Sequence, residues 1–471
     1  MRYDARVEPA PRRTLLIIAL VAMALSALFA VYQRPDWDTE YDDQVGYQRL
    51  GHVLATTGRF TRYPDAQPFV PETIRTPVYP MFLALTYRVL GESHVAVAAA
   101  QALLLALLTL VVYALTARLS TRRVALTAAW FTALFPPLPY YAALALTEVL
   151  CTVLVTVAIW LAVRAIQDRR TSDFILTGVV VGLATLTRPT YAMFPLALIG
   201  CIAIVALMRR DFRIVLPWGW TVVAFAFVLA PWLAYNAIYV HRVTLSPAGG
   251  VGRATWEASW QGTWSGRVQS DLTRLVDGHV DDDDATLDRL VHQFADERQL
   301  PPEPMLEYVH QWRDIHRLWN TPTDPRERAI KRIEADEEYL RAGLANIAKN
   351  RVGHFVRRVT TGLFVLWAAE IPIRYSRINS TPRLVIRGIW LLQAGLLAVA
   401  LVGLVMVVHR RGPLVAAPLA VLLAYITVVH MPFLAEARYS LPAKPTVLAL
   451  FAIALAELMH RMLPQTGDYL P

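Results

Sequence analysis

Two adjacent carboxylates, Asp42 and Asp43, follow the first apolar run of the chain, and Tyr47 stands four residues beyond the second of them. Residues four apart share a helical face, so Asp43 and Tyr47 are predicted to lie together at a helix start. The helix dipole favours a negative charge in that position. Carboxylates can transfer protons to and from substrate hydroxyl groups, but an ordinary acid at a helix N-terminus is the alternative for Asp43.

Three arginines predicted near the outer interface of the membrane, Arg75, Arg188 and Arg438, could hold an anion. The planar guanidinium group donates paired hydrogen bonds to phosphate oxygens. Two of these arginines have a simpler alternative, because Arg188 could contact solvent or lipid headgroups and Arg438 could extend its side chain to the membrane surface. Glu436 stands two residues before Arg438, and Lys444 enters the last apolar run and could share in phosphate binding.

Glu148 is the only charged residue in the long apolar run 124–163. We predict that it lies about two turns into its membrane span. An acidic side chain at that depth is costly and is functional by default. Two roles stay open: Glu148 belongs to the binding site, or it is a structural partner for an arginine such as Arg188.

Cysteine and histidine give no sign of a metal centre or a disulfide framework. Cys151 and Cys201, the only two cysteines, both lie inside apolar runs, as small buried hydrophobic residues do. The eleven histidines show no paired ligand spacing. We therefore predict no required cofactor or metal, although a divalent metal is possible.

The composition predicts an all-α integral membrane protein. The 471 residues are 55% hydrophobic and 18% charged, and the charges are concentrated between long apolar runs. About 20 mostly apolar residues cross the hydrocarbon core. On this basis we predict about ten spans: 14–32, 95–117, two within 124–163 separated by prolines 136, 137 and 139, two within 174–208 broken at Arg188-Pro189, 214–240, 388–408, 412–435 and 439–456.

The net charge of +9 is concentrated in arginines of the short connections, which indicates membrane orientation rather than nucleic-acid binding. With ten spans these arginines fall on one side, so both termini are predicted in the cytoplasm. The first run is long for the apolar region of a signal peptide, and Leu28 stands where cleavage after Ala30 would need a small residue, so we predict a retained span. Two long loops, residues 33–94 and 241–387, then face the periplasmic or extracellular side.

The loops suggest three parts: residues 1–240 with the first loop, 241–387 as an outer loop domain, and 388–471 as C-terminal spans. Residues 355–371 are amphipathic, and whether they span the membrane or lie in its interface stays open. Trp256, Trp260 and Trp264 recur every four residues and are predicted to form an interfacial aromatic belt, with sugar stacking as the alternative.

Several short motifs follow one another in a family-like order along almost the whole chain. They are Asp43, Tyr47, Gly58-Arg59-Phe60, Arg75-Thr76-Pro77-Val78-Tyr79-Pro80, Pro136-Pro137, Thr147-Glu148, Leu186-Thr187-Arg188-Pro189, Trp367, Glu436-Ala437-Arg438-Tyr439 and Leu441-Pro442. This order resembles the GT-C glycosyltransferases of family 39, including the protein O-mannosyltransferases and the aminoarabinose lipid A transferases. The chain departs from the family pattern at Thr76 and Val78, where the family has Pro and Gly.

The resemblance implies a GT-C-like bundle that transfers a sugar from a polyprenyl-phosphate donor to an envelope glycan, lipid or protein, with inversion. It implies Asp43 as the base, with Asp42 as the alternative. The residues expected to bind substrate are Arg75, Tyr79, Glu148, Arg188, Glu436, Arg438 and Lys444. Such a reaction needs a base for the acceptor hydroxyl and cations for the departing phosphate.

Two other functions use similar residues. A transporter or flippase of lipid-linked sugars is the main alternative, but the chain shows neither the repeated halves nor the interrupted helices typical of transporters. An envelope polymerase or ligase that uses pyrophosphate-linked oligosaccharides shares the arginine-rich outer loops. The order of acid, tyrosine and Arg-Thr-Pro resembles it less.

Overall fold

The computed structural model describes residues 12–34, 37, 41, 43–320, 323–378 and 380–462, and among these residues there are helices and no strand. The first half of the chain forms α1 (Arg12–Gln33), α2 (Asp43–Thr57), α3 (Val78–Leu90), α4 (His94–Leu119), α5 (Arg122–Leu134), α6 (Pro137–Ala142), α7 (Glu148–Asp168), α8 (Thr171–Thr187), α9 (Phe194–Arg209) and α10 (Gly219–Tyr239). The second half forms α11 (Val251–Trp260), α12 (Gly266–Asp277), α13 (Asp284–Arg298), α14 (Glu303–Asn320), α15 (Pro325–Lys349), α16 (Arg351–Arg357), α17 (Leu363–Ala368), α18 (Tyr375–Ile378), α19 (Arg383–Arg411), α20 (Pro413–Val429) and α21 (Lys444–Met462).

Each of the ten predicted spans is a helix: α1, α4, α5, α7, α8, α9, α10, α19, α20 and α21. In the described part of the chain, seven helical stretches are long and apolar enough to cross a membrane, while α8 and α20 are shorter apolar helices. α5 has 13 residues and is also shorter than a full span. The prediction of an all-α membrane bundle is confirmed.

Prolines end the helices where the sequence predicts a break. α5 ends before Pro136, and α8 ends at Thr187, after which a single 3₁₀ turn at Pro189–Tyr191 leads into α9. Proline lacks the backbone N–H that would continue the helix, and it disfavours helical geometry in the residue before it. The predicted depth of Glu148 is wrong: residues 143–147 form turns, so Glu148 is the first residue of α7.

Arginines of the short connections meet at one end of the bundle, as their predicted common side requires. Arg118 at the end of α4 binds Asp168 at the end of α7, with 2.6 Å between Nη1 and Oδ1. Arg411 donates from Nε to the carbonyl oxygen of Leu119 at 3.0 Å. The cellular compartment of this end, and the division at residues 240 and 387, stay predictions.

The middle segment, residues 241–382, has a hydrophobic core of its own. Trp256 is fully buried and stacks on Tyr308 and Trp312, with ring centroids 5.1 and 5.7 Å apart. Trp260 is also buried, and Trp264 lies beyond the end of α11 and stacks on it. The predicted aromatic belt is therefore wrong, because these tryptophans pack α11 against α14 and α15 rather than facing lipid.

Residues 355–371 are not among the described helices that are long and apolar enough to span a membrane. They form the end of α16, a π-helical turn at Arg358–Gly362, and α17. Arg358 is buried in this turn and donates to the carbonyl oxygens of Met431, His430 and Phe433 at 2.8, 2.9 and 2.5 Å. These bonds fix the loop that follows α20 and therefore the position of the residues just after it.

Candidate active site

Six charged residues from distant parts of the chain meet at the end of the bundle opposite the arginine-rich connections. We call them the carboxylate–arginine cluster: Asp43, Arg75, Glu148, Arg188, Glu436 and Arg438. They come from the start of α2, the loop before α3, the start of α7, the residue after α8, and the 3₁₀ helix Ala437–Ala443 with the residue before it. Three arginines thus face three carboxylates.

Asp43 is the member of the cluster that combines access to solvent with contacts to two arginines. Its Oδ1 atom pairs with Nη2 of Arg75, and its Oδ2 atom lies 3.4 Å from Nη2 of Arg438. The side chain remains 35% exposed, so a ligand can reach it. Burial raises the pKa of Asp43, but the positive charges of Arg75 and Arg438 outweigh it and hold the pKa well below its usual range. Asp43 is therefore a carboxylate at neutral pH.

Arg438 is the hub of the cluster. Its guanidinium group pairs with Glu436 and lies 3.4 Å from Asp43 and 3.6 Å from Oε1 of Glu148. It also lies over the ring of Tyr41, 4.9 Å from the ring centroid. One arginine thus connects carboxylates from three separate segments, and we infer that it holds the cluster together.

Glu148 contacts two arginines, which supports the structural role that the sequence left open, while its role in binding stays a prediction. Its Oε1 atom lies 3.0 Å from Nη1 of Arg188, and the side chain is almost fully buried. Arg188 also covers the ring of Tyr439 at 4.9 Å from the centroid. A buried carboxylate with this pairing fixes the orientation of both arginines, whose other N–H donors remain for a ligand.

Hydrogen bonds of the local backbone hold the start of α7 and the start of α2 together. Gln44, next to Asp43, accepts from the backbone N–H of Ala145 at 2.8 Å. Gln101 on α4 donates to the carbonyl oxygens of Ala142 and Leu144 at 3.1 and 2.6 Å. These bonds pair backbone polar groups of the segment just before Glu148 and so help to set the distance of Glu148 from Asp43. Neither glutamine was predicted from the sequence.

Arg75 is positioned by a tight turn and an aromatic ring. Oε1 of Glu72 accepts from the backbone N–H groups of Ile74 and Arg75 at 2.8 and 3.0 Å. The guanidinium group of Arg75 then lies over the ring of Tyr47, 4.5 Å from the centroid. The predicted common face of Asp43 and Tyr47 is thus present, and Arg75 lies between them.

Tyr79 lies behind this layer. It is fully buried and packs edge-on against Tyr47, with centroids 5.1 Å apart. Its hydroxyl oxygen has no hydrogen-bond partner among the described residues. The predicted contact of Tyr79 with substrate has no geometric support, and a role in positioning Tyr47 fits the packing better.

The variant Tyr79→Phe separates these two roles. We expect it to keep the KM for the sugar donor that the resemblance implies within about twofold and to keep or slightly raise the free energy of unfolding, because a buried unpaired hydroxyl costs about 1–3 kcal/mol. Thermal unfolding and initial rates on purified protein check both quantities. A large rise in KM with unchanged stability would instead assign the hydroxyl to substrate binding.

Lys444 also lies outside the cluster. It is buried at the start of α21 and donates to the carbonyl oxygen of Trp367 at 2.9 Å and to Oε1 of Gln393 at 3.3 Å. Its contacts therefore join α21 to α17 and α19. A role in phosphate binding stays a prediction for this residue.

A cavity of about 250 Å³ opens beside Arg438. Its polar lining consists of Tyr41, Tyr140, Tyr141, Glu370, Glu436 and Arg438. Neither Tyr141 nor Glu370 was predicted from the sequence. Glu370 is the single acid among the apolar residues that end the segment 355–371, and this is the signal that could have identified it. Its partners could not be predicted from the sequence.

Two predictions from the sequence, Asp42 as the alternative base and the absence of a required metal, stay untested. Asp42, the alternative base, lies outside the described residues. Among the described residues, no group of three or more His, Cys, Asp or Glu side chains is arranged to hold a metal ion. Metal dependence therefore stays untested.

Comparisons with known proteins bear on the family and the fold. The model of the dolichyl-phosphate-mannose-protein mannosyltransferase family matches residues 74–235, which include Arg75, Glu148 and Arg188 but not Asp43 or Arg438. No curated protein sequence matches the chain.

Solved structures of a membrane oligosaccharyltransferase, AglB from Archaeoglobus fulgidus, match the fold. One, in complex with an inhibitory peptide and a dolichol-phosphate, has a TM-score of 0.53 and 13% identity over 95% of this chain and 50% of AglB. A structure of the apo form has a TM-score of 0.51 and 14% identity, over 95% of this chain and 50% of the oligosaccharyltransferase. ArnT from Cupriavidus metallidurans bound to undecaprenyl phosphate gives a TM-score of 0.37 and 13% identity, over 92% of this chain and 77% of ArnT.

The chain spans about half the length of the oligosaccharyltransferase that it matches. At this identity the match shows the fold alone: a GT-C type of membrane bundle. The resemblance predicted from the sequence is confirmed.

Proposed function

We propose that this chain, a membrane protein with the GT-C glycosyltransferase fold, transfers a sugar from a polyprenyl-phosphate donor to an envelope acceptor with inversion. The observation that carries the proposal is the placement of Asp43 against Arg75 and Arg438, beside a cavity. A base next to paired cations is what displacement of a phosphate from a sugar carbon requires.

The reaction divides between the two kinds of side chain. The acceptor hydroxyl oxygen attacks the anomeric carbon of the donor while the bond from that carbon to the phosphate oxygen breaks. Asp43 takes the hydroxyl proton, and the electron pair of the broken bond leaves with the polyprenyl phosphate. Attack from the face opposite the phosphate inverts the configuration at the sugar carbon.

The arginines of the cluster are the groups proposed to hold the departing phosphate. Arg188 and Arg438 each have five N–H donors, and their contacts with Glu148, Glu436 and Asp43 use only part of them. Their place at the end of the bundle lets the lipid tail of the donor stay in the bilayer. AglB, solved with a dolichol-phosphate, supports a lipid phosphate as ligand for this fold.

Donor binding also prepares Asp43 to act as the base. In the free protein two arginines lower the pKa of Asp43, and a carboxylate with so low a pKa is a weak proton acceptor. A donor phosphate bound to Arg438 neutralises part of that positive charge, so the pKa of Asp43 rises toward the useful range when the acceptor must be deprotonated. The base is thereby strengthened in the complex with the donor.

The remaining parts of the proposal concern location and acceptor. The active site faces the periplasmic or extracellular side, and both termini lie in the cytoplasm, as the arginines of the short connections favour. The middle segment contacts the site through Leu434, whose backbone N–H donates to the carbonyl oxygen of Ala254 at 2.8 Å. This segment is placed to shape the acceptor side. The acceptor is a glycan, lipid or protein.

The test is sugar transfer by purified protein in lipid vesicles, from radiolabelled polyprenyl-phosphate sugars to an envelope extract. Transfer from at least one donor, with free polyprenyl phosphate as the second product, is the expected result. The same vesicles report movement of the lipid-linked sugar across the bilayer. Translocation without transfer from any donor would contradict the enzyme and support the transporter alternative.

A further inference from the structure

The cavity beside Arg438 contains a carboxylate that the proposed reaction does not use. Glu370 lies between α17 and α18, and its side chain is about 3% exposed. Its Oε1 atom accepts a hydrogen bond from the hydroxyl of Tyr141 at 3.0 Å. Its Oε2 atom is buried and has no hydrogen-bond partner among the described residues. A buried acceptor left in this state costs free energy unless a ligand satisfies it.

The cavity continues from the proposed phosphate site. Tyr41 lies under the guanidinium group of Arg438, and its hydroxyl is 3.3 Å from that of Tyr141, which in turn binds Glu370. This chain of contacts leads from the arginine to the orphan carboxylate oxygen along one wall. A group attached to a phosphate at Arg438 would therefore extend along this wall.

The rest of the lining suits a sugar ring. Tyr140 and Tyr141 contribute aromatic side chains, and Val365, Ile371 and Ile373 contribute aliphatic ones. Apolar walls with a few fixed polar groups are typical of small-molecule sites, where the polar groups set orientation and specificity. Sugar hydroxyls are donors that a carboxylate can accept, while the C–H groups of the ring pack against apolar side chains.

We propose that this cavity binds the sugar of the donor, that Glu370 accepts a hydrogen bond from one of its hydroxyl groups, and that the cavity selects uncharged sugars over those that carry a carboxylate. The proposal rests on the proposed function and names the substrate class of that same site. Glu370 is here a specificity-determining residue, not a participant in bond breaking.

The charges around the cavity support the exclusion of acidic sugars. Glu370 and Glu436 both line it, and the guanidinium group of Arg438 already faces Glu436, Asp43 and Glu148. Lys444, the other cation near Glu370, has donors directed to Trp367 and Gln393. A sugar carboxylate would lie against Glu370, while the charge of Arg438 is already offset by three carboxylates and by the phosphate proposed to bind there, and like charges at close range disfavour binding. Burial raises the pKa of Glu370 to about 7, and the smaller opposing effects of Tyr141, Lys444 and Arg438 lower it. Binding is therefore measured at pH 8 or above, where this carboxylate is charged.

The experiment measures equilibrium binding to the purified full chain in lipid nanodiscs at pH 8, and it requires no turnover. The probes are undecaprenyl phosphate without a sugar and polyprenyl phosphates that carry mannose, glucose, arabinose or glucuronic acid. For the wild type we expect at least one neutral sugar to bind more tightly than the bare lipid phosphate and glucuronic acid to bind less tightly. Glu370→Gln is expected to weaken the best neutral donor about tenfold, to leave the bare lipid phosphate unchanged, and to strengthen the glucuronic acid lipid.

Two further variants distinguish a specific effect on sugar binding from a loss of folding. Asp173→Asn makes a matched change at a carboxylate as buried as Glu370 but in the first turn of α8, roughly 22 Å along the helix axis from Arg188. It is expected to leave the ratio of affinities for sugar-bearing and bare lipid unchanged. Tyr141→Phe keeps the volume but removes the donor to Glu370, and it is expected to lower the same ratio as Glu370→Gln does.

The outcomes separate this inference from the proposed function. Equal loss of bare and sugar-bearing lipid in Glu370→Gln, or an unchanged affinity for both, would overturn the sugar site while leaving the transferase proposal intact. Tighter binding of glucuronic acid than of every neutral sugar by the wild type would also overturn it. Selective binding as expected, with no transfer by the same protein, would contradict the transferase proposal and not the binding site.

Discussion

Asp43→Asn is expected to lower the turnover number for sugar transfer by about 10²- to 10⁴-fold, the usual contribution of a general base. Asparagine is nearly isosteric with aspartate but cannot accept the hydroxyl proton of the acceptor. Donor affinity is expected to stay equal or to increase, because the variant removes a negative charge beside Arg75 and Arg438, where the donor phosphate is proposed to bind. The KM for the donor and the turnover number, measured separately, check both parts.

Asp65→Asn is the matched control, because Asp65 is an exposed acid in the same segment before α3. It is expected to transfer sugar at the rate of the wild type. Asp43 is one-third exposed, so the loss of its ion pairs is expected to change stability little. Equal turnover by Asp43→Asn and the wild type would remove Asp43 from the role of base and direct attention to Asp42 and Glu148.

Arg438→Gln is expected to have the second large effect, on stability and on activity at once. The side chain is 12% exposed and faces Asp43, Glu148 and Glu436. Its removal leaves three carboxylates with two arginines, and because Glu436 and Asp43 are about one-third exposed while Glu148 keeps Arg188, we expect a cost of about 1–3 kcal/mol of the free energy of unfolding. Loss of a cation from the departing phosphate is expected to lower kcat/KM by about 10²-fold or more. Thermal unfolding in detergent and initial rates at varied donor concentration measure the two effects.

The double variant Arg438→Gln, Glu436→Gln separates these effects. It restores equal numbers of arginines and carboxylates, so most of the lost stability is expected to return, while transfer stays low because the phosphate still lacks its cation. Arg438→Lys keeps the charge but not the planar fork of donors, and it is expected to lie between the wild type and Arg438→Gln in activity. Recovery of full activity in the double variant would show that Arg438 acts only by neutralising Glu436.

Local rules in the sequence were sufficient to predict the membrane helices and the ends of several of them. Proline placement predicted the breaks after α5 and α8, and the spacing of Asp43 and Tyr47 predicted their common place on α2. These features depend on neighbours a few residues away, which is the range over which backbone geometry and helix periodicity act. The family-like motifs indicated which acids and arginines to expect at the site.

Local rules failed where the outcome depended on packing. The tryptophans of α11 fit a membrane belt equally well by spacing, but α14 and α15 cover them and place them in a core. Glu148 was predicted too deep because the turns of residues 143–147, held by Gln44 and Gln101, could not be read from an apolar run. Tyr79 shares a motif with Arg75 but packs behind Tyr47.

The sequence by itself determined a helical membrane bundle and the charged residues available for chemistry, because hydrophobic length, proline and helix periodicity are local properties of the chain. Only the tertiary structure decided which charges meet. Arg438 lies 395 residues from Asp43 along the chain and within 3.4 Å of it in space, and Glu370 lies 229 residues from its partner Tyr141. Such pairings follow from how the helices pack and how the middle segment fixes the loop after α20, since electrostatic interactions depend on the distance in space and not on separation in sequence.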